Sequence, residues 1–538
     1  MRAPWSIIGA VGLMGIICAA GVGPARAQGK GEVVTSQRQT FRYGFRYDPM
    51  EFVAKSDSLQ AAVVRKVVFG QAKPGDQELI EAHFSDVFAR QKPDGSLDDP
   101  HDQGLLAATG EELLGLLEMG CSPGRPEMQR AIAAMRKAAE QLEGEKASDM
   151  SCYSLRALCL LGITEPPAVR ASLRRIADEM EDMLGGGCPW TPFVQLNALW
   201  AGREVVEVDG AIERALTWAE EAVEPSGCSN RLRLCVPWSI VQMVGIVDRP
   251  AAERIARKIV PMLLRLQQPD GGWGEPEKNS TLRAFAVLSK YGLLEELREL
   301  PPLPPDWEVV RSIPLPGEKP QTIFCASGNL WVLDGATWSA LAVSQTDGRV
   351  LKTVKLTRKP GMNHHGFASG DGKLYISAFG EKGKRSDMVY EVDAETGEVM
   401  REMPIPATNR ATGNARVDGK LLVADGWEGG VWVIDLDRPE AEPARTWLAA
   451  GMPDYMASHG DEIWCVDWFA PVLVRTNIEG ELLDWGERPF GFAPVAWDGE
   501  HLWALDPENS RICVIRKADY ESVIQEADHR SVIEKANH

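Results

Sequence analysis

One short segment of the chain combines carboxylates with a histidine just before a predicted helix. Its members are Asp98, Asp99, His101 and Asp102. Such a set can donate and accept protons when its members differ in protonation state. We expect the start of this helix to lie at one opening of a ring of helices, and Tyr153 to lie at the same opening. These five residues are the candidate catalytic set. The alternative is helix capping, because aspartate in a first turn satisfies free N–H groups and suits the helix dipole.

A second set of candidates lies in the other half of the chain, in loops expected to share one face of a repeat domain. Some loops carry aromatic residues and others carry polar and aromatic residues. The candidates are Trp338, Phe379, Trp427 and Trp468 of the first kind, and His365, Arg410, Asp454 and Tyr455 of the second. Aromatic faces beside hydrogen-bonding groups suit a sugar ring or an extended peptide. The alternative is that the aromatic residues pack between repeats.

No metal site is predicted. Zinc needs three or four suitable ligands, and the first half offers only two histidines, His83 and His101. In the second half, His364 and His365 could bind a metal with Asp454. Adjacent residues of a strand point to opposite faces, however, so only one of these histidines could face a common site. Any cofactor is unknown from the sequence.

The first candidate set depends on helices that recur at regular spacing. A glycine follows each apolar helical run, at intervals of 40 to 50 residues. These glycines are Gly70, Gly120, Gly162, Gly202, Gly245 and Gly292. Amphipathic and nearly apolar runs alternate, which is typical of stacked helical hairpins. Six hairpins predict an (α/α)6 toroid, in which each glycine caps an inner helix in a left-handed conformation.

The second candidate set depends on five β-repeats. Each repeat starts a strand after a tight turn, at Gly328, Gly372, Gly419, Gly460 and Gly499. The period fits the four-stranded blade of a β-propeller. The last repeat lacks a fourth strand, whereas Trp307–Leu315 is a strand outside any repeat. We predict that this segment completes the fifth blade and so removes the open edge.

Gln267–Trp273 reads QQPDGGW, and Gln91–Leu97 is a weaker copy. The Q-x-x-D-G-x-W pattern resembles the repeat of the squalene cyclase and protein prenyltransferase family, over residues 45–300. In that family the motif ties a helix end to its neighbour, so the resemblance implies an α/α toroid and no chemistry. The family's D-x-D-D acid is missing, and Asp149 lies one residue too far from Cys152 for its zinc motif. Isoprenoid handling is therefore only a third possibility.

The strand repeats resemble the broad NHL/YVTN-like class of propellers, which carry tandem D-G-x-L-W-V-x-D repeats. That class contains enzymes and binding modules, so the resemblance implies a fold and leaves the function open. The predicted fold is multidomain, α then β, with a toroid followed by a five-bladed propeller.

The charge and the first residues bear on location and partners. A net charge of -19 argues against nucleic acid and anionic membranes, because both need a basic face. An apolar run followed by Ala25-Arg26-Ala27 is typical of a cleaved signal peptide. We therefore expect a periplasmic or secreted protein, with no membrane contact once the signal is removed.

The predicted segments are a signal peptide (1–27), a toroid (28–300), a proline-rich linker (301–306), a propeller (307–519) and a C-terminal helix or tail (520–538). The leading hypothesis is an exported ligand-binding or scaffold protein whose propeller binds a carbohydrate, a peptide or another small molecule, because no complete catalytic set is found. The alternative is a polysaccharide lyase or hydrolase that uses the acidic and histidine cluster at the toroid mouth.

Overall fold

The computed structural model describes two compact units, one ending at Leu303 and one beginning at Pro304. The first is helical and the second is built of strands. No helix among the described residues is long and apolar enough to cross a membrane. The predicted signal peptide and C-terminal tail lie outside these residues. The described residues are 41–97, 105–142, 150–184, 190–223, 237–274, 279–326, 328–357, 363–379, 387–405, 411–425, 430–446, 453–467, 472–490 and 494–518.

The described part of the first unit consists of helices joined by short turns. Ser58 and Ser151 cap two of them by accepting backbone N–H bonds, and α2 continues into a π-helical turn over Val64–Val68. The helices are α1 (Pro49–Lys55), α2 (Leu59–Val63), α3 (Asp76–Ala89), α4 (Leu105–Glu118), α5 (Pro126–Glu140), α6 (Cys152–Leu160), α7 (Pro167–Leu184), α8 (Trp190–Gly202), α9 (Asp209–Ala222), α10 (Pro237–Ile246), α11 (Pro250–Arg265), α12 (Ser280–Lys290) and α13 (Leu293–Arg298).

These helices form two series. In the first series, α4, α6, α8, α10 and α12 contact one another in order, and α12 also contacts α2. In the second series, α5, α7, α9 and α11 do the same. The first series is the more apolar, and residues 192–200 of α8 are all buried. The alternation of apolar and amphipathic runs therefore predicts the helical region correctly.

The glycine caps are only partly as predicted. Four of them adopt left-handed conformations with φ between 64° and 83°, namely Gly70, Gly120, Gly162 and Gly292. The prediction is wrong for the other two, because Gly202 ends α8 and Gly245 lies within α10. A Cβ at Gly202 would come within 2.5 Å of the Leu173 side chain, so close helix packing favours glycine there.

The Gln267–Trp273 motif fastens a loop to two other segments. The Gln267 amide donates to the Tyr47 carbonyl at 2.7 Å. Trp273 is fully buried, and its backbone N–H donates to Thr281 Oγ1 of α12 at 2.9 Å. The copy at Gln91–Leu97 makes the corresponding bond from its last residue to a threonine of α4 at 3.1 Å. Both copies therefore stabilise the packing of the helices.

Charged side chains meet inside the helical unit. Arg156 of α6 donates to Glu111 Oε2 of α4 at 2.5 Å and to Gln242 Oε1 of α10 at 3.0 Å. Arg283 of α12 donates to Glu118 Oε2 of α4 at 3.3 Å. All five side chains are buried. Hydrogen bonds between polar side chains thus link four helices of the first series.

Burial changes the acidity of these groups. It raises the pKa of Glu111 and of Glu118 to about 7, against the opposing effect of the nearby arginines. It also lowers the pKa of Arg283. Each buried charge is tolerated because a partner of opposite sign is close, and removing one partner would leave the other uncompensated.

The second unit contains five antiparallel four-stranded sheets in its described residues. The innermost strands of the five sheets, which begin at Pro320, Asn363, Ala411, Pro453 and Val495, contact one another around a ring. The unit is therefore a five-bladed β-propeller. Blades one and two contain β2 (Pro320–Ala326), β3 (Asn329–Asp334), β4 (Ser339–Val343), β5 (Val350–Lys355), β6 (Asn363–Gly370), β7 (Lys373–Phe379), β8 (Met388–Asp393) and β9 (Val399–Pro404). Blades three to five contain β10 (Ala411–Val417), β11 (Lys420–Asp425), β12 (Val431–Asp435), β13 (Ala444–Thr446), β14 (Pro453–His459), β15 (Glu462–Asp467), β16 (Val472–Asn477), β17 (Leu482–Glu487), β18 (Val495–Trp497), β19 (Leu502–Asp506), β20 (Arg511–Lys517) and β1 (Trp307–Pro314).

The turn between the first and second strands of each blade explains the repeated glycine. At all five turns the glycine that opens the motif has φ between 60° and 103°. Asp371 and Asp418, which precede two of these glycines, also have positive φ values. Two consecutive positive φ angles define the type I′ turn that suits the twist of a hairpin.

The fifth blade closes as predicted. β1 pairs with β20 along its length, from Trp307 opposite Lys517 to Pro314 opposite Arg511. Trp307 Nε1 donates to the Glu487 carbonyl of the fourth blade at 2.5 Å, and its ring lies edge-on to Trp464. The first strand of the propeller therefore joins its last blade to the blade before it.

Trp307→Ala is expected to lower the free energy of unfolding of the propeller by about 3 kcal/mol, because it removes a buried ring from the closing contact. Val310→Ala, at an exposed position of the same strand, is the control and should cost less than about 0.5 kcal/mol. Calorimetric unfolding of the full chain measures both. Equal losses in the two variants would contradict the closing role of Trp307.

Arg156→Met is expected to destabilise the helical unit by about 3–5 kcal/mol at pH 8, because Glu111 is left charged and buried. The loss should be smaller at pH 5. The pKa of Glu111 is raised in the folded state, so its protonation relieves the penalty as the pH falls toward the unfolded value.

The double variant Glu111→Leu with Arg156→Met should recover at least half of that loss, since neither charge is then left alone. Denaturation of the full chain at both pH values tests this, with the exposed Arg170→Met as control. A pH-independent loss in Arg156→Met would contradict the role given to Glu111.

Candidate functional site

Several predicted site residues lie outside the described residues. These are Asp98, Asp99, His101, Asp102, Arg410, Trp427 and Trp468. Tyr153, the remaining member of the catalytic set, is half-buried in the first turn of α6. The roles given to all of these residues stay predictions.

Trp338 and Phe379 occupy different environments. Trp338 is only 8% exposed and belongs to the apolar cluster between blades one and two, with its ring 6.3 Å from that of Phe367. Its position favours the packing alternative stated for these aromatic residues. Phe379 ends β7 and is half-buried at the loop end of the blade.

The inner strands of blades one to four are irregular near their first residues. Pairing with the second strand shifts register within 320–322, 364–367, 411–414 and 453–455. Such bulges redirect side chains and often occur beside active sites. All four lie at the end of the ring where the predicted ligand-binding loops begin, and we call this end the channel mouth.

The backbones of blades two, three and four come very close together at the channel mouth. A Cβ at Gly366 would lie 1.7 Å from the Thr412 carbonyl oxygen, and one at Gly413 would lie 2.4 Å from the Asp454 carbonyl oxygen. Ser377 Oγ accepts from the Gly366 N–H at 3.0 Å and donates to the Thr412 carbonyl at 2.7 Å. These three blades are therefore held together on one side of the ring.

This close approach brings together three residues predicted from the sequence. His365 of blade two has its Nδ1 atom 3.8 Å from Asp454 Oδ1 of blade four. Its ring stacks on Tyr455, with the ring centres 5.5 Å apart and an interplanar angle of 23°. The Asp454 side chain is 1% exposed and the His365 side chain 22% exposed. A buried carboxylate beside a partly exposed imidazole and a half-buried tyrosine ring is thus built into the mouth.

Arg488 adds a cation to this group. It follows β17, and its Nη1 atom donates to the Asp467 carbonyl at 3.5 Å. Burial lowers the pKa of Arg488 to about 10, while the charges of Asp467 and Asp454 act in the opposite direction. The guanidinium therefore stays charged at neutral pH beside the carboxylate that faces His365.

The aspartates that end the second strand of a propeller blade hold the adjacent turns in place. In blade one, Asp334 accepts from the backbone N–H of Lys319 at 2.9 Å and from Thr337 Oγ1 at 2.8 Å. In blade five, Asp506 accepts from Arg511 Nε at 2.7 Å. Because these bonds lie within one blade or join its loops, this repeated residue stabilises turns.

The described residues contain no group of three or more His, Cys, Asp and Glu that could hold a metal ion. His365 and Asp454 are close, but no third ligand of this kind joins them in that part of the chain. The arrangement suits proton transfer and hydrogen bonding to a ligand.

No protein-family model matches the chain, and no curated protein matches it. Among solved structures, a glutaminyl cyclase of Myxococcus xanthus aligns over 40% of this chain and 97% of its own, at 12% identity and a TM-score of 0.33. A luciferin-regenerating enzyme aligns over 40% of this chain and 96% of its own, at 12% identity and a TM-score of 0.29. A streptogramin B lyase aligns over 39% of this chain and 98% of its own, at 12% identity and a TM-score of 0.27. These scores are low, so the five-bladed assignment rests on the strand pairing of this chain.

The sequence singles out neither Arg488 nor Thr412. A signal for Arg488 is present, because it lies in the same class of loop as the predicted Arg410, between the last strand of one blade and the first of the next. Thr412 contributes through its backbone carbonyl, for which a sequence carries no side-chain signal.

Gly413→Ala should lower the free energy of unfolding of the propeller by about 1–3 kcal/mol, because the added methyl meets the backbone of Asp454. Gly430→Ala in the same blade is the control. Its methyl would meet only the end of the Arg445 side chain, which can move away. Urea denaturation compares the two, and equal losses would contradict a rigid backbone contact at the mouth.

Proposed function

We propose that the chain is a ligand-binding protein whose propeller binds a carbohydrate at the channel mouth. The stacked pair of His365 and Tyr455 beside the buried Asp454 is the observation behind this proposal. An aromatic surface can lie against the apolar face of a sugar ring, while adjacent polar groups bind its hydroxyls.

The sequence of the loops at this end supports a larger surface of the same kind. Trp427 follows the second strand of blade three, and Trp468 follows that of blade four. Arg410 precedes the first strand of blade three. We propose that these residues extend the site formed by His365 and Tyr455, which would suit several sugar units.

For the helical unit we propose an (α/α)6 toroid that serves as a scaffold. Two observations support this architecture. The helices form two series in which each helix contacts the next, and the Gln267–Trp273 motif is hydrogen-bonded to α12. Isoprenoid binding is disfavoured, because Arg156 and Glu111 put charges inside the helical unit, whereas an apolar ligand needs an apolar lining.

We further propose that the protein is exported to the periplasm or secreted. Residues 1–27 have the pattern of a signal peptide. The strongly negative charge supports a partner other than nucleic acid or an anionic membrane. An exported protein would meet extracellular carbohydrate, which agrees with the proposed ligand.

The test is thermal unfolding of the protein from Gln28 onward with a panel of oligosaccharides and peptides. A ligand at one hundred times its dissociation constant adds about 2.7 kcal/mol and raises the unfolding temperature visibly. Tyr455→Ala should weaken the binding of the selected oligosaccharide at least tenfold, measured by calorimetry, because it removes half of the aromatic stack.

His459→Ala is the matched control, since His459 also stacks on an aromatic ring but lies at the other end of β14. The affinity of His459→Ala for the selected oligosaccharide should equal that of the unsubstituted protein. Shifts with peptides alone would overturn the carbohydrate assignment. The absence of any shift, or equal affinities for Tyr455→Ala and the unsubstituted protein, would overturn the proposed site.

A further inference from the structure

His365 and Asp454 belong to blades two and four, which lie on either side of blade three. Their side chains come close because the inner strands of these three blades approach one another closely. The 3.8 Å between Nδ1 and Oδ1 is longer than a hydrogen bond. Separations of this kind often shorten when a ligand closes a site. A carboxylate beside one imidazole nitrogen orients the ring and leaves the other nitrogen, Nε2, for proton transfer.

Two further groups stand beside this pair. Tyr455 offers a phenol whose ring is stacked on the His365 imidazole. Arg488 donates from Nη1 to the Asp467 carbonyl at 3.5 Å, and the charge of Asp454 acts on it. A guanidinium has five N–H donors, so it can bind a substrate carboxylate while it keeps such a bond. The mouth therefore combines a base, a weak acid and a group that can neutralise a carboxylate.

We propose that the channel mouth catalyses β-elimination in a polysaccharide that contains uronic acids, with His365 as the base, Arg488 bound to the substrate carboxylate and Tyr455 as the acid. This inference rests on the proposed carbohydrate site. It places the chemistry in the propeller, on residues other than the acidic cluster of the helical unit.

The step balances without an added reagent. The C–H bond beside the substrate carboxylate breaks and its proton goes to His365 Nε2. The electron pair of that bond forms a C=C double bond, and the glycosidic C–O bond at the next carbon breaks. The leaving oxygen keeps the C–O electron pair and takes a proton from the Tyr455 hydroxyl. His365 then returns its proton to Tyr455 through solvent, so no water, oxidant or reductant is consumed.

Elimination needs a base, an acid and a group that neutralises the substrate carboxylate, and the channel mouth has one residue for each role. A proton beside a carboxylate becomes acidic only when the carboxylate charge is neutralised, which is the role of Arg488. Hydrolysis of a glycoside usually employs two carboxyl groups across the bond. Here Asp454 is 1% exposed and faces the imidazole, so it is a positioning residue for His365.

The experiment incubates the full chain from Gln28 with polygalacturonate, alginate, hyaluronan and a neutral glucan. Elimination creates an unsaturated uronide that absorbs ultraviolet light, and we expect absorbance to rise with one or more of the three acidic polymers only. His365→Ala should lower turnover at least a hundredfold, which exceeds the tenfold loss of affinity expected from removing one ring of the His365–Tyr455 stack.

Asp454→Asn should lower kcat at least tenfold with KM nearly unchanged, because the imidazole loses its orientation and the substrate contacts remain. Arg488→Ala should raise KM and also lower kcat, because the carboxylate loses both a binding partner and the charge that makes the neighbouring proton acidic, and Arg488→Lys should restore part of both losses. His459→Gln is the control and should behave like the unsubstituted protein. Circular dichroism shows that each variant is folded.

The possible results separate this inference from the proposed function. An acidic polymer that binds at the mouth without any product would overturn the elimination and leave the binding site standing. New reducing ends without ultraviolet absorbance would show hydrolysis and also overturn it. Turnover that survives in His365→Ala would assign the chemistry to other residues. If no carbohydrate binds, the proposed function itself fails.

Discussion

Backbone contact between the inner strands of three blades is the constraint on which the channel mouth depends. Gly366 and Gly413 leave no room for a side chain against the neighbouring strand. Their blades can therefore approach until His365 reaches Asp454 across the intervening strand. Any residue with a Cβ at these two positions would push the blades apart, and the histidine and carboxylate would no longer meet.

The two units use polar groups in opposite ways. In the helical unit, Arg156 and Glu111 are buried together and satisfy each other, so their charges serve packing. In the propeller, Asp454 is just as buried but lies below His365, which solvent can reach. A buried charge beside an accessible partner can act on a ligand, whereas a buried pair of charges cannot. This difference is why we propose that the site lies in the propeller.

Local chemistry made part of the fold predictable. The glycines that begin each repeat occupy tight turns, and turn geometry is determined by a few adjacent residues, so the five blades follow from the sequence. The unmatched strand at Trp307–Leu315 likewise predicts the closure of blade five. The sequence placed His365 and Asp454 on one face of the propeller, but their 3.8 Å separation could not be predicted, because it depends on strand spacing across a blade. Trp338 likewise packs between blades, and a sequence cannot distinguish a buried loop tryptophan from an exposed one.

The pairing of β1 with β20 also affects how the propeller can form. Residues that lie about two hundred positions apart pair within the fifth blade, so the ring cannot close until its last strand has emerged. Long-range strand pairing of this kind slows folding, since the chain loses entropy before the contact stabilises it. Until then, β1 has no partner strand, and its unpaired backbone groups form the kind of open edge that promotes aggregation.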